Sequence, residues 1–141
     1  MKMFVVGTPR PQARPRTFRQ GKFIKTISPI TEWRNDVKYK ALEKARAGCL
    51  KGPLEVTIMY LFKRPDSHYG TGRNAGIVKK SSPHFMTTRP DIDNLNKAVL
   101  DAIQDAGLIQ DDSAVVKLIS SKNYAIDGGT AGALIEIEEI L

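Results

Sequence analysis

The sequence predicts a small α+β domain: a mixed sheet of about four strands with two main helices. Three observations predict it. Leu54–Phe62 is rich in β-branched and aromatic residues and alternates in hydrophobicity, as a strand does. Two other stretches, about 29–47 and 91–106, repeat apolar residues at helical spacing. The order of elements (β, basic hairpin, α, β, long loop, α, β, β) shows no internal repeat. A chain of 141 residues with 41% hydrophobic content fits one domain, 1–141, around one core.

Taken in order, Met3 to Gly7 reads as a first strand. Residues 8–26 read as a basic loop, because Pro9, Pro11 and Pro15 oppose helix. Within it, Gln20-Gly21 suits a hairpin turn between Thr17–Arg19 and Lys22–Ile24. Ser28 as N-cap with Pro29 at the first helical position starts a helix that should reach Ala47, where Gly48 closes it. Ile30, Trp33, Val37 and Ala41 share its apolar face, so Trp33 is read as core rather than as a base-stacking residue. Cys49 is read as a small buried residue. Leu54, Val56, Ile58, Tyr60 and Phe62 form one apolar face of the best strand, and Met59 and Leu61 suggest a partly covered second face. Residues 63–90 form a long loop with three glycines and three prolines, read as a mobile DNA-contacting segment. His84, within it, is read as a surface residue. Leu95, Ala98, Val99, Ala102, Ile103 and Ala106 give the second helix its face, and Gly107 ends it. Strands at 114–125 and 133–140 follow, with a turn at Asp127-Gly128-Gly129.

Charge narrows the function. The net charge is +7, but it is unevenly placed. Residues 1–31 carry seven Lys or Arg and no acid, whereas residues 91–141 carry ten acids and three lysines. Basic segments beside an acidic cluster suit a cation held next to a polyanion. Guanidinium groups on extended backbone suit phosphate oxygens, so Arg10, Arg14, Arg16 and Arg19 are assigned to DNA, with Lys79, Lys80 and Arg89 from the long loop. The single cysteine excludes an intrachain disulfide and a cysteine zinc cluster, and His68 and His84 alone make no zinc site. No apolar run is long enough to span a membrane, and the N-terminus lacks a signal-peptide pattern. A reducing, cytoplasmic setting is the expectation.

The chemistry concentrates at 91–112. Asp91 and Asp93 stand at the start of the second helix, with Lys97 one turn after Asp93. Asp111 and Asp112 follow the helix. Each has an ordinary reading: aspartates cap helices, Asp-Asp marks turns, and Asp-Lys at one turn is a surface ion pair. As a set they exceed those needs, since one cap suffices for a helix. Several carboxylates and a lysine meeting at one point would suit metal-assisted phosphodiester hydrolysis, and carboxylate-only ligands favour Mg²⁺ or Mn²⁺ over zinc.

The pattern Asp91-x-Asp93-Asn94-x-x-Lys97, followed by Asp111-Asp112, resembles the signature of the RusA family of Holliday-junction resolvases. The Pro9-Arg10-Pro11 stretch with Arg14 to Arg16 is similar too. The resemblance implies a homodimeric, magnesium-dependent endonuclease that cuts four-way DNA junctions symmetrically. It also implies that Asp91, Asp93 and Asp112 bind the metal, Asp111 fills the adjacent acidic position and Lys97 is catalytic. The loop 66–88 is long for that family. Two alternatives stay open. An Asp-x-Asp motif also occurs in nucleotide-sugar transferases, although no βαβ repeat or glycine-rich phosphate loop accompanies it here. A basic nucleic-acid-binding module without catalysis is the other.

Overall fold

The computed structural model describes residues 1–13, 16–27, 31–126 and 129–141. Its elements are β1 (Lys2–Val6), β2 (Arg16–Gln20), β3 (Phe23–Ile27), α1 (Glu32–Ala45), β4 (Leu54–Phe62), α2 (Ile92–Asp105), β5 (Val115–Tyr124) and β6 (Gly132–Glu139). The main sheet is mixed and four-stranded, in the order β1-β6-β4-β5. β4 runs parallel to β5 and antiparallel to β6. β2 and β3 form a separate hairpin.

The parallel pair decides where the site lies. Parallel neighbours need a crossover, and here it is the long loop followed by α2. α2 therefore begins near the end of β4 and returns along the sheet to the start of β5. It is held there by Leu95, Ala98, Val99, Ala102 and Ile103, all fully buried. Leu95, Val99, Ala102 and Ile103 pack with Val56, Ile58 and Tyr60 of β4, Ile135 and Ile137 of β6, and Trp33, Val37 and Ala41 of α1. Gly107 (φ +74°) turns the chain out of α2 in the left-handed region, where a side chain is strained. Both helices cover one face of the sheet. On the other face Glu55, Thr57 and Leu61 are half-buried and Met59 is 44% exposed, so the partial cover expected for that face holds except at Met59.

Other expectations shift. α1 starts at Glu32, with Thr31 as its N-cap: the Thr31 hydroxyl accepts from the Arg34 amide at 3.2 Å. The expected start, Ser28-Pro29, and Ile30 lie outside the described residues, as do Asp127 and Gly128 of the expected turn and Arg14. The helix ends at Ala45 rather than Ala47. The hairpin loop is Gly21-Lys22, since Gln20 pairs with Phe23. Trp33 is core, at 2% exposure. Cys49 is exposed, not buried. It stands in the turn after α1, and Leu50 beside it packs against the core instead and makes a backbone bridge to Ile109.

Residues 63–90 are folded. They contain short 3₁₀ turns at Asp66–His68 and Gly72–Asn74, and bridges join Tyr69 to Val78 and Phe85 to Asn123. The Arg64 guanidinium donates to the Pro83 carbonyl at 2.8 Å and lies 5.0 Å from the centre of the Tyr124 ring. The expectation of a mobile loop gives way to a lobe fastened to the end of β5. His84 is exposed, as expected, and stands edge-on to Phe85.

Candidate active site

The first acidic pair sits where α2 begins. Asp91 is the N-cap by backbone conformation (φ −72°, ψ 140°), yet its side chain makes no capping hydrogen bond. Asp93 lies in the first helical turn, and its Oδ1 accepts from the Asn94 amide at 2.9 Å. Both are exposed. An aspartate in the N-cap position that leaves the cap unmade gains nothing from the capping hydrogen bond. The positive end of the helix macrodipole favours negative charge there in any case.

The arm after β1 is laid against this turn. The Gln12 amide donates to the Asn94 carbonyl at 3.2 Å. Pro11, Gln12, Ala13, Arg89, Pro90, Asp91 and Asn94 line a cleft of about 560 Å³. Arg89 and Asp91 therefore line one cleft. On the other side, the Lys122 ammonium donates to the Thr88 carbonyl at 2.7 Å and to the Pro90 carbonyl at 2.8 Å. It anchors the backbone just ahead of Asp91 to β5.

The second acidic pair lies at the other end of the helix. The Asp112 amide donates to the Gln104 side chain at 2.9 Å, in the last turn of α2. Asp111 caps the 3₁₀ turn Asp112–Ala114, accepting from the Ser113 amide at 2.8 Å. Hydrogen bonds from the Ser113 side chain and backbone hold its carboxyl below the ordinary range. At a helical rise of roughly 1.5 Å per residue, Asp93 and Gln104 are about 16 Å apart along the axis. Among the described residues no three His, Cys, Asp or Glu side chains stand close enough to hold a metal ion. The meeting of all these carboxylates at one point is not made within one chain.

Lys97 also differs from expectation. Its ammonium lies 3.6 Å from Asp101, one turn further along α2, and the ion pair is made there rather than with Asp93. Asn96 acts as expected of a hydrogen-bonding residue, but across elements. It accepts from the Tyr60 hydroxyl at 2.9 Å and donates to Ser120 at 2.9 Å, fixing α2 to β4 and β5. Burial pushes the Tyr60 phenol well above its usual value, so it remains a donor.

A family model described as Endodeoxyribonuclease RusA matches residues 7–138. The chain belongs to that family. It is also 29% identical over 127 residues to the uncharacterized protein YqaN of Bacillus subtilis (strain 168), covering 89% of this chain and 88% of the relative.

In this RusA-family chain the described basic residues assigned to DNA divide into three groups. Arg89 lines the Asp91 cleft, and Arg10 is exposed on the arm leading to it. Arg19 is exposed on the hairpin, and Lys79 and Lys80 are exposed on the 63–90 lobe. Arg16 belongs to β2 by its backbone. Sequence reasoning missed Lys122, Gln12 and Asp101. Lys122 had one available signal: it is in phase with Leu118 and Ser120 on the helix-facing side of β5, an unusual place for an unpartnered ammonium.

Proposed function

We propose that this protein is a divalent-metal-dependent endodeoxyribonuclease that resolves four-way DNA junctions in the cytoplasm, serving recombination and repair, by paired symmetric incisions as a homodimer. The observation that carries the reading is the uncapped Asp91 carboxylate lining the same cleft as Arg89 at a helix start. Asp91 and Asp93, with Asp111 and Asp112, would hold Mg²⁺ or Mn²⁺. Their oxygen-only donor set fits a hard cation that keeps much of its water and takes one or two carboxylates at a time. Such an ion, when bound, polarises a phosphodiester and makes hydroxide available near neutral pH. Arg89 and Arg10 bind and orient the backbone phosphates. Lys122 keeps residues 88–90, and so Asp91, in place. Lys97 supplies positive charge for the departing oxygen once the DNA competes with Asp101 for its ammonium.

Two further facts support the dimer reading. The acids are split between the two ends of α2, and β5 is an edge strand whose Val116, Leu118 and Ile119 are 62%, 39% and 46% exposed. A long apolar edge invites pairing. An antiparallel, two-fold pairing of β5 with its copy would bring the start of one strand, after Asp111-Asp112, beside the end of the other, where Lys122 holds Pro90-Asp91. Each composite site would then draw acids from both chains. The non-catalytic binding module remains the competing reading, favoured for an isolated chain by the separation of its acids. A nuclease assay on a four-way junction with Mg²⁺, and with chelator, separates the two. Cleavage with Mg²⁺ and none with chelator is expected, while binding without cleavage in either condition would favour the module.

Two smaller effects follow. Lys122→Met should lower the single-turnover rate on bound junction by roughly 10- to 100-fold, the usual loss when a group supporting a metal ligand is removed. Junction affinity should change little, and Lys122→Arg should restore part of the rate. A wild-type rate for Lys122→Met would remove it from the site. Junction affinity should also fall steeply with salt, with a slope of roughly −0.9 per phosphate contact on a log–log plot. Ala substitution at Arg10, Arg19, Lys79, Lys80 or Arg89 should flatten that slope, and an affinity indifferent to salt would remove these residues from the interface.

A further inference from the structure

Among the described residues the β2–β3 hairpin pairs only with itself and not with the main sheet. A lone two-stranded hairpin has little stability of its own in water. Yet this one carries large apolar side chains in the open: Phe18 is 41% exposed and Phe23 74%. Their placement is regular. Phe18 is opposite Lys25 and Gln20 is opposite Phe23. Opposed residues share a face and successive residues alternate, so Phe18, Gln20, Phe23 and Lys25 lie on one face. Thr17, Arg19, Ile24 and Thr26 lie on the other, and the two threonine hydroxyls are 3.4 Å apart. One face thus combines two rings with an ammonium and an amide.

We propose that this face stacks on DNA bases that are free of the duplex stack at the branch point of the junction, an inference that rests on the nuclease reading above and names which part of the DNA the hairpin takes. Aromatic rings among cations are the surface that unstacked bases select, because every base has a π-face and every nucleotide a phosphate. The charge of the segment selects the occupant. Residues 1–31 contain no acid, and the hairpin itself bears Arg16, Arg19, Lys22 and Lys25. Two such hairpins repel, so a second copy of the chain is a poor partner. The position fits as well. Gln12, fixed to the first turn of α2, is only four residues before the start of β2, a reach of about 14 Å. Bases held by the hairpin are within a few nucleotides of a phosphate in the Asp91 cleft.

The test uses four-way junctions with 2-aminopurine at the branch-point positions, bound without divalent metal. Wild-type protein should change the probe's fluorescence on the junction and not on a continuous duplex. The Phe18→Ala, Phe23→Ala double variant should lose that change and bind the junction about 5- to 100-fold more weakly per base unstacked from a ring, with the salt slope unaltered because no charge is removed. A Phe18→Leu, Phe23→Leu pair keeps apolar bulk for the hairpin and should lose the signal too, whereas Phe18→Tyr, Phe23→Tyr should keep it. A double variant that retains the fluorescence change and the junction-over-duplex ratio overturns the proposal. So does one whose sedimentation mass falls, since the rings would then be contacts between copies. Wild-type protein that neither prefers the junction nor cuts it with Mg²⁺ defeats the nuclease reading itself, and this inference with it. Cleavage by wild type alongside unaltered variants defeats the hairpin inference alone.

Discussion

Asp91→Asn and Asp93→Asn should each lower the single-turnover cleavage rate on a bound four-way junction by on the order of a thousandfold, with junction affinity kept or raised. Both side chains are exposed, so neither substitution creates a cavity or buries an unpaired group. Asp91 makes no capping bond to lose. The bond from the Asn94 amide to Asp93 can be kept by the amide oxygen of asparagine. What each change removes is one anionic oxygen donor and one negative charge. Loss of the donor weakens the hold on a hard cation. Loss of the charge eases the approach of phosphate. Rate and affinity should therefore move apart, which misfolding would not produce. Near-wild-type cleavage by the Asp93→Asn protein would take these residues out of the metal site.

Chains carrying Asp93→Asn and chains carrying Asp112→Asn should each be inactive alone and regain nicking when co-assembled. In a composite arrangement, one site of the mixed dimer receives both altered residues. The other receives Asp93 from one chain and Asp112 from its partner, both intact. That dimer should nick a cruciform plasmid but not linearise it, because only one of two opposed strands can be cut. If instead all the acids of a site came from one chain, each site of the mixed dimer would hold one altered residue and no activity would return. The expectation rests on the separation of about 16 Å between Asp93 and Gln104, the residue that binds the Asp112 amide. Sedimentation of the free protein should give twice the chain mass, and Leu118→Lys on the exposed edge of β5 should lower it. An unchanged mass in that variant would move the interface elsewhere.

Much of this molecule could be read from residue order because its signals are local. The face of α2 was legible from Leu95 to Ala106, since a 3.6-residue period is a property of adjacent residues. The alternation of Leu54–Phe62 gave β4 in the same way, and Gly107 marked the end of a helix through its own backbone freedom. The acidic motif was legible as a family signature, because its residues and spacing resemble those of the family whose model the chain matches. What was not legible depends on where elements meet. Neighbouring positions in the motif suggested that Asp93 and Asp112 converge. The length of α2 and its return along the sheet put them at opposite ends. Lys97 could pair backward or forward along the helix, and the forward partner, Asp101, lies in a part of α2 where the motif gave no reason to look. Lys122 is 31 residues from Asp91 in the chain, and only the parallel crossover brings its ammonium to the Pro90 carbonyl. The long loop read as mobile from its glycines and prolines. Bonds from Arg64 and the edge of β5, which no local pattern announces, fold it into a lobe. Periodicity and residue type determined the elements and the family. The crossover of one parallel strand pair decided which groups stand together, because contacts between distant residues are set by packing of whole faces and not by spacing along the chain.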